Sequence, residues 1–518
     1  MKALCVTFLM LGCGGIAALS QVVPTPAGVS SWQPAYAETA LMCSPEDLRK
    51  VSIPNTTIES VAIDPEDGSC RVTAIVTHPP ANDRVKIWIA LPMKNWNGRF
   101  HGTGGGGFSG GSPNNLRGPV AQGFAAGATD TGHEGGSGAY MLNANGRLNW
   151  QEIRDFAYLG IHDMTVVGKA LTQAFYGKPP RYSYFVGTST GGRQALMEAQ
   201  RYPEDYDGIV SRCPAIMMHH MFATGIWAQL VMLEAKHLVP KAKLDAVSAA
   251  VIKAFDADDG VVDGVIDDPL HCTWDPKAFV GNKVGEDLFS EADADIVRKL
   301  WDGPRAQDGR KLWFGIPRGA DLFALAGTEG TPLRGKPFGP PWDGLRYALI
   351  QNANWDWTTL TRTEFELLHN QSVETFGTVW GTDDADLTRF RARGGKLILL
   401  HGLADQLIPP EGTIQYFERV QQAMGGPAST AQFARFFLVP GVDHGFRGAG
   451  PSPTGVLPAL AKWVEAGQPP ERLLGETRDQ EGKVLRSRPL FPYPQFTKYS
   501  GQGSTDDAAN FIAVSPKP

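Results

Sequence analysis

Apolar and polar residues alternate through CRVTAIVTHPP (70–80) and RVKIWIALP (84–92). Each run ends in proline, so the spacing predicts two paired strands. Residues 151–177 carry helical spacing. Beyond them apolar runs read as strands: YSYFVG (182–187), YDGIVSRCPA (206–215), KLILLHG (396–402) and ARFFLVPG (434–441). RQALMEAQRY (193–202) and TIQYFERVQQAM (413–424) read as helices. Strand alternating with helix predicts a mostly parallel sheet covered on both faces.

That rhythm stops between about 216 and 385. The segment holds Trp227, Trp274, Trp301, Trp313, Trp342, Trp355, Trp357 and Trp380, eight of the chain's 13 tryptophans. It reads as an inserted lid domain, with the catalytic domain formed by residues 43–215 and 386–518. The tryptophans are expected either to fill the lid core or to stack on an aromatic ligand.

The first residues, MKALCVTFLMLGCGGIAALSQ, place one lysine before an apolar stretch that ends in small residues. This is the pattern of a secretory signal over 1–20, cleaved after Ser20. A lipid anchor through Cys13 and an uncleaved membrane anchor are the alternatives. Residues 21–42, rich in Pro, Ser and Ala, read as a flexible leader. The expected location is secreted or periplasmic, with no transmembrane segment in the mature chain. At 518 residues, 42% hydrophobic and 20% charged, the chain has ample material for a globular core. A net charge of −6 with no basic block argues against nucleic acid as a partner. After cleavage Cys43, Cys70, Cys213 and Cys272 remain. Cys43 with Cys70 is the local pairing, which leaves Cys213 with Cys272.

The chemistry begins at Gly187-Thr188-Ser189-Thr190-Gly191, a G-x-S-x-G stretch between a strand and a helix. That context makes Ser189 a candidate nucleophile, against the plainer reading of a Gly/Ser turn. The helix N-terminus favours developing negative charge, and the N–H of Thr190 is placed to meet an oxyanion. A serine nucleophile needs an acid and then a histidine later in the chain. Asp405 follows the strand KLILL, and His444 lies in a Gly-bracketed loop after the last strand. His401 competes as base, but it abuts its strand and reads as fixing the Asp405 loop. Asp443 competes as acid, but it adjoins the histidine. The glycine loop GTGGGGFSGG (102–111) can supply a second backbone oxyanion donor. It lacks the Lys-Ser/Thr ending of a phosphate loop.

DADDGVVDGVIDD (256–268) offers hard oxygen ligands on a turning backbone. Its spacing is not that of an EF-hand, so a calcium loop and a solvated acidic loop both remain open.

Taken together, WNGRFHGTGGGG, TDTGHEG, KPPRYSYFVGTSTGGRQ, YPEDYDGIV, DDGVVDGVIDD, GGKLILLHGLADQLIPP, FFLVPGVDHG and RPLFPYPQFTKYSG resemble the tannase and feruloyl esterase family. This is a family of α/β-hydrolases that also contains mono(2-hydroxyethyl) terephthalate hydrolases. The resemblance runs from about residue 43 to the end. It implies an α/β-hydrolase fold with a large inserted lid. It implies Ser189 as nucleophile, Asp405 as acid, His444 as base, and oxyanion donors at the N–H of Gly107 and Thr190. It also implies a structural Ca²⁺ in the lid, remote from the ester. The Ca²⁺ ligands would be the side chains of Asp256, Asp259 and Asp263 and the carbonyls of Val261 and Val265.

The chain departs from the family in a paired way. Relatives usually carry bridged cysteines just before the nucleophile and just after the catalytic histidine. Here Thr188 and Gly445 stand at those positions. Phe491 and Ala513 likewise replace a C-terminal pair.

The expectation is a secreted serine carboxylesterase hydrolysing feruloyl (hydroxycinnamoyl) or galloyl esters through an acyl-enzyme, its partner a small aromatic ester. A terephthalate monoesterase is the alternative within the class. A non-catalytic binding protein on a hydrolase scaffold is the alternative outside it. The oligomeric state is not legible.

Overall fold

The computed structural model describes residues 32–36 and 40–515. The signal segment, Cys13 and most of the leader lie outside the described residues. Within the leader, Trp32 packs edge-on against Phe124 and the Met42 N–H bonds the Phe175 carbonyl, so these parts dock on the body.

Nine strands form the main sheet: β1 Thr56–Ile63, β2 Cys70–Val76, β3 Val85–Leu91, β4 Arg99–Thr103, β5 Ala125–Thr129, β6 Tyr182–Thr188, β7 Gly208–Arg212, β8 Lys396–Gly402 and β9 Ala434–Val439. Their order is β1-β2-β3-β5-β4-β6-β7-β8-β9. β1, β2, β3 and β5 pair antiparallel, and every pair from β5 to β9 is parallel. The expected pairing of 70–80 with 84–92 is met by β2 and β3. The uniformly apolar runs became central strands, because a parallel strand covered on both faces has no wet side.

Helices cover both faces. α1 (Gly160–Tyr176), α2 (Thr190–Arg201) and α3 (Pro410–Ala423) pack on one side with Phe100, Phe185, Ile209 and Phe436. α4 (Val456–Ala466) packs on the other with Tyr184, Val210, Leu400 and Phe437. Burying each such side chain contributes about 1.5–3 kcal/mol. The result is the α/β-hydrolase fold.

The segment 216–385 is mainly helical and shares a third core with Phe108, Tyr140, Ile153 and Phe156 of the body. The insertion therefore does not bury its apolar residues alone. All eight of its tryptophans pack into these cores: Trp313 joins the sheet core, and the rest join the lid core. Residues 155–159 form a π-helical turn ahead of α1, where the sequence reads as one helix.

The expected Cys43–Cys70 bridge is not formed. All four described cysteines are free thiols. Cys43 Sγ donates to the Ala174 carbonyl, and burial pushes the Cys70 thiol up to about 11. Cys213 lies at the end of β7 and Cys272 in the lid core, so these two do not pair either. No helix of the described residues is long and apolar enough to cross a membrane.

Candidate active site

Ser189 occupies the turn between β6 and α2 with φ 63° and ψ −121°, a region that non-glycine residues avoid. The turn holds because its neighbours are glycines. A Cβ on Gly187 would lie 2.1 Å from the Gly191 carbonyl oxygen, and one on Gly104 would lie 2.4 Å from Gly191 Cα. Ser189 N–H donates to the Arg212 carbonyl at 2.9 Å, and its own carbonyl accepts from Arg193 and Ala215. The backbone is thus pinned to the end of β7. Ser189 Oγ makes no hydrogen bond among the described residues, to His444 included.

Asp405 and His444 are brought together. His444 Nδ1 donates to Asp405 Oδ2 at 2.8 Å. The other carboxylate oxygen accepts from the N–H groups of Leu407 and Ile408, both at 2.9 Å. Burial alone would raise the Asp405 carboxyl, but His444 and His401 hold it well below the usual range. Burial likewise opposes a charged His444, yet Asp405 outweighs it and the imidazole lies above its ordinary value. The pair therefore favours a proton on the ring while Asp405 stays ionised.

The two competitors fall where the sequence placed them. His401 is fully buried, with Nδ1 against Thr413 Oγ1 and Nε2 3.0 Å from the Ile408 carbonyl and 3.2 Å from Asp405 Oδ2. It braces the acid's loop. Asp443 caps its own turn, accepting from the Arg447 N–H at 2.8 Å.

The glycine loop closes the site from the other side. Gly191 N–H donates to the Gly105 carbonyl, and Thr190 Oγ1 donates to the Gly107 carbonyl at 2.5 Å. Gly107 has φ +58°, a left-handed conformation that favours glycine. Neither the Gly107 nor the Thr190 N–H has a hydrogen-bond partner among the described residues. The lid's Pro340 lies 3.7 Å from where a Gly107 Cβ would stand.

Three supports escape sequence reasoning. Gln406 Oε1 accepts from the His444 N–H at 3.1 Å. His133 stacks on Tyr140 and bonds the Phe108 carbonyl at 2.6 Å, steadying the residue after Gly107. Cys213 places Sγ within 4.8 Å of ligand atoms of Asp405 and His444. Burial and Asp405 push its thiol well above the ordinary value, so it is no rival nucleophile. Gln406 and Cys213 lie within stretches read from the sequence, but nothing in their spacing marks them.

The acidic run turns its side chains inward. Asp259, Asp263, Val265 and Asp267 line a cavity of about 20 Å³ with Arg488 and Phe511. Burial, with Asp259 and Asp263 beside it, drives the Asp267 carboxyl well above its usual range. Three carboxylates converging on a space of ion size fit a hard cation. Asp256 Oδ1 accepts from the N–H groups of Asp263, Gly264 and Val265, which shapes the loop. Asp263 Oδ2 pairs with Arg486 and Arg488. Asp267 was absent from the expected ligand set. Val265 packs on Gly441, 2.7 Å from where its Cβ would stand, three residues ahead of His444.

An elbow serine, a half-buried imidazole bonded to a fully buried carboxylate, and backbone N–H groups without a partner can together support acyl transfer. Comparisons with known proteins agree. Residues 70–514 match the family described as tannase and feruloyl esterase. A probable feruloyl esterase of Arthroderma benhamiae is 38% identical over 478 residues, covering 89% of this chain and 86% of its own. Feruloyl esterase B of Aspergillus niger is 29% identical, covering 86% of each. The crystal structure of feruloyl esterase B from Aspergillus oryzae superposes with a TM-score of 0.80 at 28% identity, covering 91% of this chain and 99% of that one. Tannin acyl hydrolase from Aspergillus niger shares the fold, with a TM-score of 0.81 at 24% identity.

Proposed function

The chain belongs to the tannase and feruloyl esterase family of carboxylic ester hydrolases, and on that premise we propose a secreted serine esterase for feruloyl and related aromatic-acid esters. The observation that carries this reading is the 2.8 Å bond from His444 Nδ1 to Asp405 Oδ2, taken with the strained Ser189 turn. Nδ1 is engaged, so Nε2 is the atom left to act as base. It takes the Ser189 proton as Oγ attacks the ester carbonyl. Asp405 stays ionised and steadies the imidazolium. The N–H groups of Gly107 and Thr190 receive the oxyanion. The tetrahedral species collapses, and the alcohol leaves with the proton from His444. Water, deprotonated by the same nitrogen, then releases the acid and restores Ser189.

Calcium enters as a structural ion. Asp259, Asp263 and Asp267, with the carbonyls of Val261 and Val265 and the shaping Asp256, would hold it. It supplies charge neutralisation there, and the residues around it brace the His444 loop. Secretion rests on the N-terminal signal pattern.

The substrate test is steady-state hydrolysis of methyl ferulate, methyl gallate and mono(2-hydroxyethyl) terephthalate. The reading expects methyl ferulate to have the highest kcat/KM. A clear preference for the terephthalate would move the chain to that branch of the family.

A further inference from the structure

A second cluster of ionisable groups lies outside the hydrolytic site. His78 follows β2, Asp83 sits in the β2–β3 loop, Asp155 opens the π-helical turn, and Asp163 lies in the first turn of α1. His78 Nδ1 stands 2.5 Å from Asp83 Oδ2 and 3.6 Å from Asp155 Oδ1. Its Nε2 stands 3.1 Å from Asp163 Oδ2. One ligand atom each from His78, Asp83 and Asp155 fall within 4.8 Å of one another.

The charges do not balance. Three carboxylates surround one imidazole, and among the described residues His78 is the only basic side chain ion-paired with any of them. Asp155 is fully buried, and its Oδ2 has no hydrogen-bond partner. A buried acid with an orphaned oxygen is costly unless a cation meets it. Gln151 donates to Asp155 Oδ1 at 2.8 Å, but Oδ2 of Asp155 and Oδ2 of Asp163 are both left without a hydrogen-bond partner.

We propose that His78, Asp83 and Asp155 bind a divalent transition-metal ion, Zn²⁺ or Mn²⁺, at a site separate from the ester chemistry and from the acidic loop of the lid. Imidazole beside carboxylates suits these borderline ions better than Ca²⁺ or Mg²⁺. His78 Nδ1 and one oxygen each of Asp83 and Asp155 are the ligands. Nε2 faces Asp163 Oδ2 at 3.1 Å, where an outer carboxylate can orient the ring of a metal-bound histidine. His78 is part of an open groove of about 600 Å³, with Pro79, Pro80, Gln151, Arg154 and Tyr158, which supplies an entry path and room for water on the ion. The ion ties the β2–β3 loop to the π-helical turn. The carbonyls of that turn, Phe156 and Ala157, accept from Arg193 of the helix that begins after Ser189.

The test is metal binding to the full chain, stripped with chelator and then saturated with Ca²⁺. Mn²⁺ or Zn²⁺ is titrated by calorimetry, with thermal unfolding in parallel. The expected result is one tightly bound equivalent and a rise in Tm, both lost in Asp155→Asn and in His78→Gln. Asp155→Asn removes a buried charge at constant shape, so its fold is retained, and its Tm without metal verifies this. Equal binding by the wild type and both variants would overturn the proposal. So would no binding by the wild type, leaving the cluster an ionic network.

Discussion

The Arg212 guanidinium lies over the Phe446 ring, 4.0 Å from its centroid. Arg212 ends β7 directly opposite Thr188, and Phe446 stands two residues past His444. The stack thus spans the two segments that hold Thr188 and Gly445. A cation–π contact of this kind contributes about 0.5–2 kcal/mol. Phe446→Leu keeps apolar volume and removes the stack. It should lower kcat several-fold with KM little changed, as expected when the base loosens. A fall in Tm with kcat untouched would make the contact structural only.

Free thiols imply indifference to reductant. Cys43, Cys70, Cys213 and Cys272 are unbridged, so millimolar dithiothreitol should leave activity and Tm unchanged. Marked inactivation would show a bridge that the structure lacks.

The pH profile follows from His444. The base works only as neutral imidazole, and Asp405 holds its pKa above the ordinary ~6.5. As pH falls through that raised value the ring gains a proton and kcat/KM drops. Asp405→Asn removes the carboxylate, so the acid limb should shift to lower pH while kcat falls about 10⁴-fold. An acid limb that stays in place in the variant would assign it to another group.

Calcium removal should act on both stability and rate. At a hundred times its dissociation constant, a bound ion adds about 2.7 kcal/mol. Chelation should lower Tm, and kcat should fall with it, because Val265 of that loop packs against Gly441 near His444. Re-addition should restore both in the wild type but not in Asp267→Ala. A Tm that ignores chelator would remove calcium from the account.

Much of this arrangement was legible because strand ends are where α/β chains place chemistry. Ser189, Asp405 and His444 each follow a recognisable apolar run, so their order and context could be read without coordinates. What escaped was set by tertiary packing. Helical periodicity does not register the extra residue per turn at 155–159. The acidic run does not say which carboxylates line the small cavity, where Asp267 stands beside Asp259 and Asp263. Cys43 and Cys70 suggested a bridge by proximity in sequence, whereas the Cys43 thiol turns to the Ala174 carbonyl. The lid tryptophans carried two readings, and packing into the cores is the one the structure bears out.

The central claim is that Ser189 carries the acyl group of an aromatic ester. It is tested most directly by steady-state hydrolysis of methyl ferulate by the wild type and by Ser189→Ala, each folded and calcium-loaded. The account predicts turnover by the wild type and a loss of at least about 10³-fold in the variant, with unchanged Tm. Turnover that survives the substitution would contradict it.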